Sequence, residues 1–329
     1  MNKELLKTFC SIKGASGEED KIAGLILGEI KDYVDEYRFD ALGNLIARKK
    51  GPGKKMMLAG HMDQIGMMVT HIDDDGFLWF TNIGGLTPNV ILSSRVSFSN
   101  GISGVIGCQR LEDHERIAID KMYIDIGATS REEAGALISV GDICVYAGEP
   151  VVDDYKIMTP YLDDRIGCFI MVEALKKVKN PAFDLYFAFT VQEEVGLRGA
   201  KTAAYSIDPD YGIAFDVTIS ADTPKCRKLP QKLGGGACIK IKDASVLCHP
   251  LMIKHMERCA RDAGIKYQFE ILEAGGTDSG AIHLNKGGVP SGVISVPTRH
   301  VHSMNELARL SDISDCIELT VKALETEIA

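Results

Sequence analysis

The stretch from Leu185 to Ala200, LYFAFTVQEEVGLRGA, constrains the fold more than any other part of the chain. Leu185 to Val191 form an apolar, β-prone run, followed by Gln192, the adjacent acids Glu193 and Glu194, and glycines at Gly196 and Gly199 before a helix-like segment. This is a buried strand that carries two acids to its own carboxyl end. Strands buried on both faces belong to α/β sheets, and such sheets bind ligands in the crevice beyond their carboxyl ends. A lone Glu-Glu pair is usually a solvated strand end, because Glu is seldom buried. Here the other strand ends carry His, Asp and His, which points to a shared site.

The 329 residues allow about two domains, or one large domain with an insertion. Hydrophobic residues at 45% and charged residues at 25% are enough to bury a sizeable core and keep the surface soluble. A net charge of −9 excludes a nucleic-acid binder that works by clustered Lys and Arg. The nine cysteines are spread singly with no C-x-x-C pair, which predicts free thiols in a reducing compartment. The amphipathic start MNKELLKTFCSIKG lacks the apolar centre of a signal peptide, and no apolar run reaches membrane-spanning length. The expected location is the cytoplasm, with neither membrane nor nucleic acid as a partner.

Leu5, Leu6, Phe9, Cys10 and Ile12 recur at helical spacing, and Ser16 with Glu19 predicts a capping box opening a second helix. Lys55 to Ala59 reads as a strand running into Gly60-His61-Met62-Asp63, where His61 and Asp63 share one side of extended chain. Six short alternating segments follow: 67–71, 77–81, 95–99, 104–108, 122–126 and 143–147, separated by turns such as Asp74-Asp75-Gly76 and Asn100-Gly101. They describe a small all-β unit. The expected division is an α/β domain from 1–64 and 154–329, with a β domain from 65–153 inserted into it. Free strand edges on such a unit invite pairing with another chain.

At Tyr161-Leu162-Asp163-Asp164 a loop enters a helix, with Asp164 read as its cap and Asp163 free to reach the crevice. Strand 211–215 ends in Asp216, Gly275-Gly276-Thr277-Asp278-Ser279 reads as a loop at a strand end, and strand 289–296 leads toward His302. Ser311 or Asp312 is expected to cap the final helix, and Arg165, Arg198 and Arg299 to pair with local carboxylates. His300 reads as a loop-packing residue.

Strand ends thus supply His61, Asp63, Asp163, Glu193, Glu194, Asp216 and His302, a mixed nitrogen and oxygen set suited to zinc, cobalt or manganese. Two such ions sharing a carboxylate polarise a carbonyl and turn a bridging water into hydroxide at neutral pH.

The segments AGHMDQIG, YLDDRIG, TVQEEVGLRGA, AFDVT, GGTDSGAIH and TRHVHS, in this order, resemble the motifs of the M42 metallo-aminopeptidases. That family includes glutamyl and tetrahedral aminopeptidases, and relatives once labelled endoglucanases. The resemblance implies an α/β fold, a mixed-sheet α/β/α dinuclear-metal peptidase sandwich with an inserted small all-β domain used for assembly. It further implies Asp163 bridging two divalent ions, His61 and Asp216 completing one site, and Glu194 with His302 the other. Glu193 would be the general base and Asp63 the partner that orients His61. The implied activity is removal of N-terminal residues from short peptides, by a homo-oligomer built from dimers, typically a hollow tetrahedral dodecamer. Met304 departs from the proline common after the family's last His, which predicts a looser loop there. Two rival readings are a glycoside hydrolase using Glu193 and Glu194, which needs two separated carboxyls and sugar-stacking aromatics, and a catalytically silent assembly scaffold.

Overall fold

A computed structural model describes residues 1–112 and 114–329. Helices α1 (Lys3–Phe9) and α2 (Asp20–Ile30) precede strands β1 (Glu36–Phe39), β2 (Leu45–Lys49) and β3 (Lys55–His61). Six strands then form a separate unit: β4 (Gly66–Ile72), β5 (Leu78–Ile83), β6 (Arg95–Phe98), β7 (Ser103–Cys108), β8 (Met122–Asp125) and β9 (Ile143–Tyr146). Short helices α3 (Pro88–Ile91) and α4 (Arg131–Gly135) lie within that unit. The chain returns through β10 (Val151–Val152), β11 (Lys156–Thr159), α5 (Arg165–Lys177), β12 (Asp184–Thr190), α6 (Arg198–Ile207) and β13 (Tyr211–Ile219). It ends with β14 (Ala237–Lys242), α7 (Pro250–Ala263), β15 (Tyr267–Ile271), α8 (Ser279–Ile282), β16 (Ser291–Arg299), β17 (Glu306–Arg309) and α9 (Leu310–Leu324).

The main sheet is mixed, in the order β1-β2-β12-β3-β13-β16-β17-β11-β10, with β14 and β15 attached at β16. Alternation along its central strands feeds two cores. Met56 and Leu58 of β3, Phe187 of β12 and Phe215 of β13 pack with Leu6, Ile26, Phe169, Met252 and Ile317 from α1, α2, α5, α7 and α9. Met57, Ala59 and Ala188 point the other way, onto Ala200, Ala203 and Ala204 of α6 and Ile282 of α8. Because those strands are covered on both faces, their sequences read as continuous apolar runs.

The six predicted short strands all form, and they close into a barrel in the order β4-β5-β8-β7-β6-β9 around Val69, Phe80, Val96, Ile106 and Ile124. Closure removes the free edges expected of this unit, since every strand is paired on both sides. The barrel's last strand ends at Tyr146, and Val151–Val152 already pairs with β11 in the main sheet.

Two expected caps are absent. α2 starts only at Asp20, and Ser16 Oγ instead donates to Asp63 Oδ2 at 2.6 Å, while Glu19 Oε1 accepts from the Gly17 and Gln192 amides at 2.9 and 3.1 Å. α9 starts without a side-chain cap, and Asp312 instead accepts from the Gly234 and Gly236 amides at 2.7 and 3.0 Å. In both cases the polar side chain finds donors or acceptors brought from a distant part of the chain. The cap at Asp164 does form: its Oδ1 accepts from Gly167 N–H at 2.9 Å at the start of α5. Arg299 pairs with Asp222, its Nε and Nη2 donating at 2.9 and 2.8 Å, whereas Arg165 donates to the Phe9 and Gly14 carbonyls and Arg198 to the Gln192 amide oxygen.

Candidate active site

Strands β12, β3, β13 and β16 are neighbours and run parallel, so their carboxyl ends open on one edge of the sheet. His61 is the last residue of β3, level with Thr190 at the end of β12. Glu193 and Glu194 follow in a tight turn, entered through Gln192 at φ 55° and closed by bonds from the Gly196 and Leu197 amides to the Glu193 carbonyl at 2.8 and 2.9 Å. Asp216 is not a strand terminus as expected: β13 continues to Ile219, and the carboxylate projects from within it. Asp163 lies between β11 and α5, and His302 sits at φ 62° in the turn after β16.

These residues converge on Asp163. His61 Nε2 lies 3.1 Å from Asp163 Oδ1, and His302 Nε2 lies 3.1 Å from Oδ2 of the same carboxylate. Glu194 Oε1 is 3.4 Å from His302 Nε2, and Glu193 Oε2 is 3.9 Å from His61 Nε2. Each imidazole turns its other nitrogen to a fixed acceptor: His61 Nδ1 faces the Asp63 carbonyl at 3.2 Å, and His302 Nδ1 faces the Gly85 carbonyl at 2.8 Å. A proton held at Nδ1 leaves Nε2 directed inward, the arrangement that metal-binding histidines use. Asp63 also accepts from the Glu193 and Glu194 amides at 3.0 and 3.2 Å, which ties His61 to the turn that carries both acids.

Burial shapes the charges. It raises the Glu193 carboxyl well above the ordinary range, with Asp216 and Glu194 adding repulsion against the pull of His61. Asp216 is raised well too, by burial and by the charge on Asp163. Burial would also raise Asp163, but hydrogen bonds from His302 and His61 outweigh it and hold this carboxyl below the usual range. For His302 burial lowers the pKa, yet the Asp163 and Glu194 carboxylates push it up to about 12.

The donor set fits divalent transition metals. The ligating atoms of His61, Asp163 and Glu194 lie within 4.8 Å of one another, as do those of His61, Glu193 and Asp216. Imidazole nitrogens mixed with carboxylate oxygens match the chemistry of zinc, cobalt or manganese. Buried carboxylates outnumber the histidines that face them, and a cation answers that imbalance.

The barrel helps build the site although it offers none of the expected ligands. Gly84, at φ 73°, and Gly85 follow β5 and press against it: a Cβ on Gly84 would sit 2.8 Å from Glu194 Oε2, and one on Gly85 would sit 3.0 Å from His302 Nδ1. The positive φ and the close approach at Gly84 favour glycine there, and at Gly85 a side chain would press on the His302 ring. Met304, in the loop after His302, is partly buried and packs against the barrel core. The carboxylates and histidines line a cavity of about 870 Å³, whose remaining walls include Leu197, Val217, Ile219, Leu229, Leu272 and Val301.

The sequence pattern of the M42 glutamyl aminopeptidase family matches residues 43–319. The chain belongs to the M42 peptidase family. Among M42 relatives, a putative aminopeptidase of Acetivibrio thermocellus is 51% identical over 98% of both chains. An aminopeptidase of the archaeon Desulfurococcus kamchatkensis superposes with a TM-score of 0.94 at 37% identity, covering 99% of this chain and 94% of that one. The TET1 peptidase of Pyrococcus horikoshii, which can assemble into a tetrahedron or a large octahedral shell, superposes at 0.85 with 34% identity over 98% and 99% of the two chains.

Several residues of this M42 peptidase take parts in the site that its sequence did not show. Ser16 and Gly85 hold Asp63 and His302 only through contacts across 47 and 217 residues. Asp278, in the loop after β15, is buried and accepts from Thr190 Oγ1 at 2.5 Å at the end of β12, close below the paired acids. Lys240 lines the cavity yet is buried, with its ammonium held between Asp243 and Glu270. Its only sequence signal was a Lys between Ile239 and Ile241 in β14.

Proposed function

We propose that this chain is a dinuclear metal-dependent aminopeptidase that removes N-terminal residues from short peptides. One observation carries the reading: two anchored imidazoles address opposite oxygens of Asp163 at 3.1 Å each, on the floor of an open cavity. In this reading Asp163 bridges two divalent ions, zinc or cobalt with manganese as an alternative. His61 and Asp216 complete one site, and Glu194 and His302 the other. The ions, when bound, supply carbonyl polarisation and a water acidic enough to react at neutral pH. Glu193 takes a proton from water at the cavity floor and returns one to the departing amine. Asp63 keeps the His61 ring in place through its own backbone and side chain. The site's excess negative charge favours a substrate that brings an α-ammonium group, which is what an N-terminus provides.

The glycosidase alternative leaves the two inward-facing imidazoles without a task. Among the described residues the cavity lining includes no Trp, Tyr or Phe for a sugar to stack on, and Trp79 sits in the barrel against His71, with ring centroids 5.6 Å apart, and donates to Asp73. A silent scaffold would be expected to have lost a ligand or the base, and every position is filled. The nine cysteines are free, in keeping with a reducing compartment such as the cytoplasm. No described helix is long and apolar enough to cross a membrane.

The test compares one short peptide with a free and an acetylated N-terminus. Turnover is expected only with the free amine, and comparable cleavage of the acetylated peptide would point to another hydrolase on the same site.

For assembly we propose a homo-oligomer built from dimers, a hollow tetrahedral dodecamer, with the barrel supplying contacts between chains. Val90, Leu92, Val105, Leu137 and Val140 of the barrel region are large apolar side chains left exposed on the single chain. With its edges closed, the barrel has these side chains, and not free strands, to offer a neighbour. Replacing the insert by a short linker is expected to give folded but smaller particles in light scattering. An unchanged number of chains per particle would place the contacts in the α/β part.

A further inference from the structure

We infer that Glu306 is a positioning residue that sets the spacing between Asp163 and His302, an inference that rests on reading those two residues as metal ligands. The Glu306 carboxylate is 1% exposed. Its Oε2 accepts from the Leu162 and Asp163 amides at 2.8 and 3.1 Å, and its Oε1 accepts from the His302 amide at 2.8 Å. One rigid, planar group therefore binds the main chain of both ligands.

The topology explains why a side chain is needed here. Glu306 is the first residue of β17, level with Thr159 at the end of β11, while the pairing of β17 with β16 begins one residue on, at Leu307 and Arg299. Beyond this point the flanking strands diverge into the loops that carry Asp163 and His302. Their amides lose the strand ladder just where the site begins, and buried amides require acceptors. The carboxylate takes the place of the missing ladder. Three converging N–H groups need two acceptor oxygens, and a carboxylate has only acceptors. Glutamine would offer one oxygen and turn an NH₂ group toward an N–H. A capping role alone would satisfy the amides of one loop. This carboxylate spans two loops, and both end in side chains that meet at Asp163 Oδ2 and His302 Nε2, 3.1 Å apart.

The experiment strips the full-length chain with a chelator and titrates it with Co²⁺ by calorimetry. Glu306→Gln is expected to weaken Co²⁺ binding about 10- to 100-fold, the usual cost of losing a group that holds a metal ligand in place. At saturating Co²⁺, kcat should fall more than KM rises. Asp312→Asn is the control, because Asp312 also clamps two amides, that of Gly236 buried and that of Gly234 partly so, but in a loop that carries no proposed ligand. It should lower thermal stability and leave Co²⁺ affinity unchanged. Glu306→Asp, with both oxygens on a shorter stem, is expected to bind Co²⁺ better than the Gln variant and less well than the unmodified chain. Unchanged affinity in Glu306→Gln, or an equal loss in Asp312→Asn, would overturn the inference. An unmodified chain that takes up no Co²⁺ would overturn the metal reading beneath it. A further measurement needs no variant: in stripped protein the Leu162, Asp163 and His302 amides should exchange slowly with solvent, because the clamp is made by protein alone. Fast exchange that slows only on adding Co²⁺ would show that the metal, not Glu306, sets the spacing.

Discussion

Glu193→Gln is expected to lower peptide turnover by about 10²- to 10⁴-fold while the metal content stays at that of the unmodified chain. Glutamine keeps the shape of the side chain and one carbonyl oxygen, but it cannot take a proton from water. The neighbouring change, Glu194→Gln, should act the other way round, with lower metal occupancy and partial activity restored by added metal. Both acids leave the same turn and both reach an imidazole, at 3.9 Å for Glu193 to His61 and 3.4 Å for Glu194 to His302. Position alone therefore does not separate base from ligand, and the pair of variants does. Steady-state rates on an aminoacyl-nitroanilide, together with elemental analysis of the purified proteins, decide it. If Glu193→Gln loses metal and Glu194→Gln keeps it with negligible turnover, the two roles are exchanged.

Asp163→Ala should empty both sites at once. Its two carboxylate oxygens each face a different imidazole at 3.1 Å, which places this carboxylate to serve two ions. Removing it also leaves His61 and His302 without the charge that raises their proton affinity, among buried acids that repel one another. Metal content by elemental analysis is expected to fall from two ions per chain to near zero, with activity lost even at high added metal. A variant that retains one tightly held ion would mean that the sites are not bridged by Asp163, and a full complement would remove Asp163 from the ligand set.

The paired acids after β12, the short strands of the barrel and the long helices α5 and α9 could be read from the chain, for one physical reason. Alternation of apolar residues, a capping Asp before an apolar helix and a turn glycine are local patterns, and the structure at each point obeys local sterics and burial. His61, Glu193 and Glu194 were legible at the ends of β3 and β12, because parallel strands must deliver their carboxyl ends to a common edge once the sheet forms; Asp216 was misplaced, since β13 runs on past it to Ile219. What lay beyond reading was every choice that depends on a partner from far along the chain. Ser16 and Glu19 had the spacing of a capping box, but Asp63 and the Gln192 amide were nearer in space and better placed. Asp312 had the look of a helix cap and became an acceptor for the Gly234–Gly236 loop.

The sequence by itself determined the element types, the alternation that divides sheet from barrel, and the His and paired Glu residues carried at the ends of β3 and β12. Only the tertiary structure decided that the barrel closes on itself and that its Gly84–Gly85 turn presses on Glu194 and His302. It also decided that Glu306 binds the backbones of Asp163 and His302 together. A hydrogen bond takes whichever satisfied geometry folding brings within 3 Å or so, and no local pattern encodes which distant group that will be.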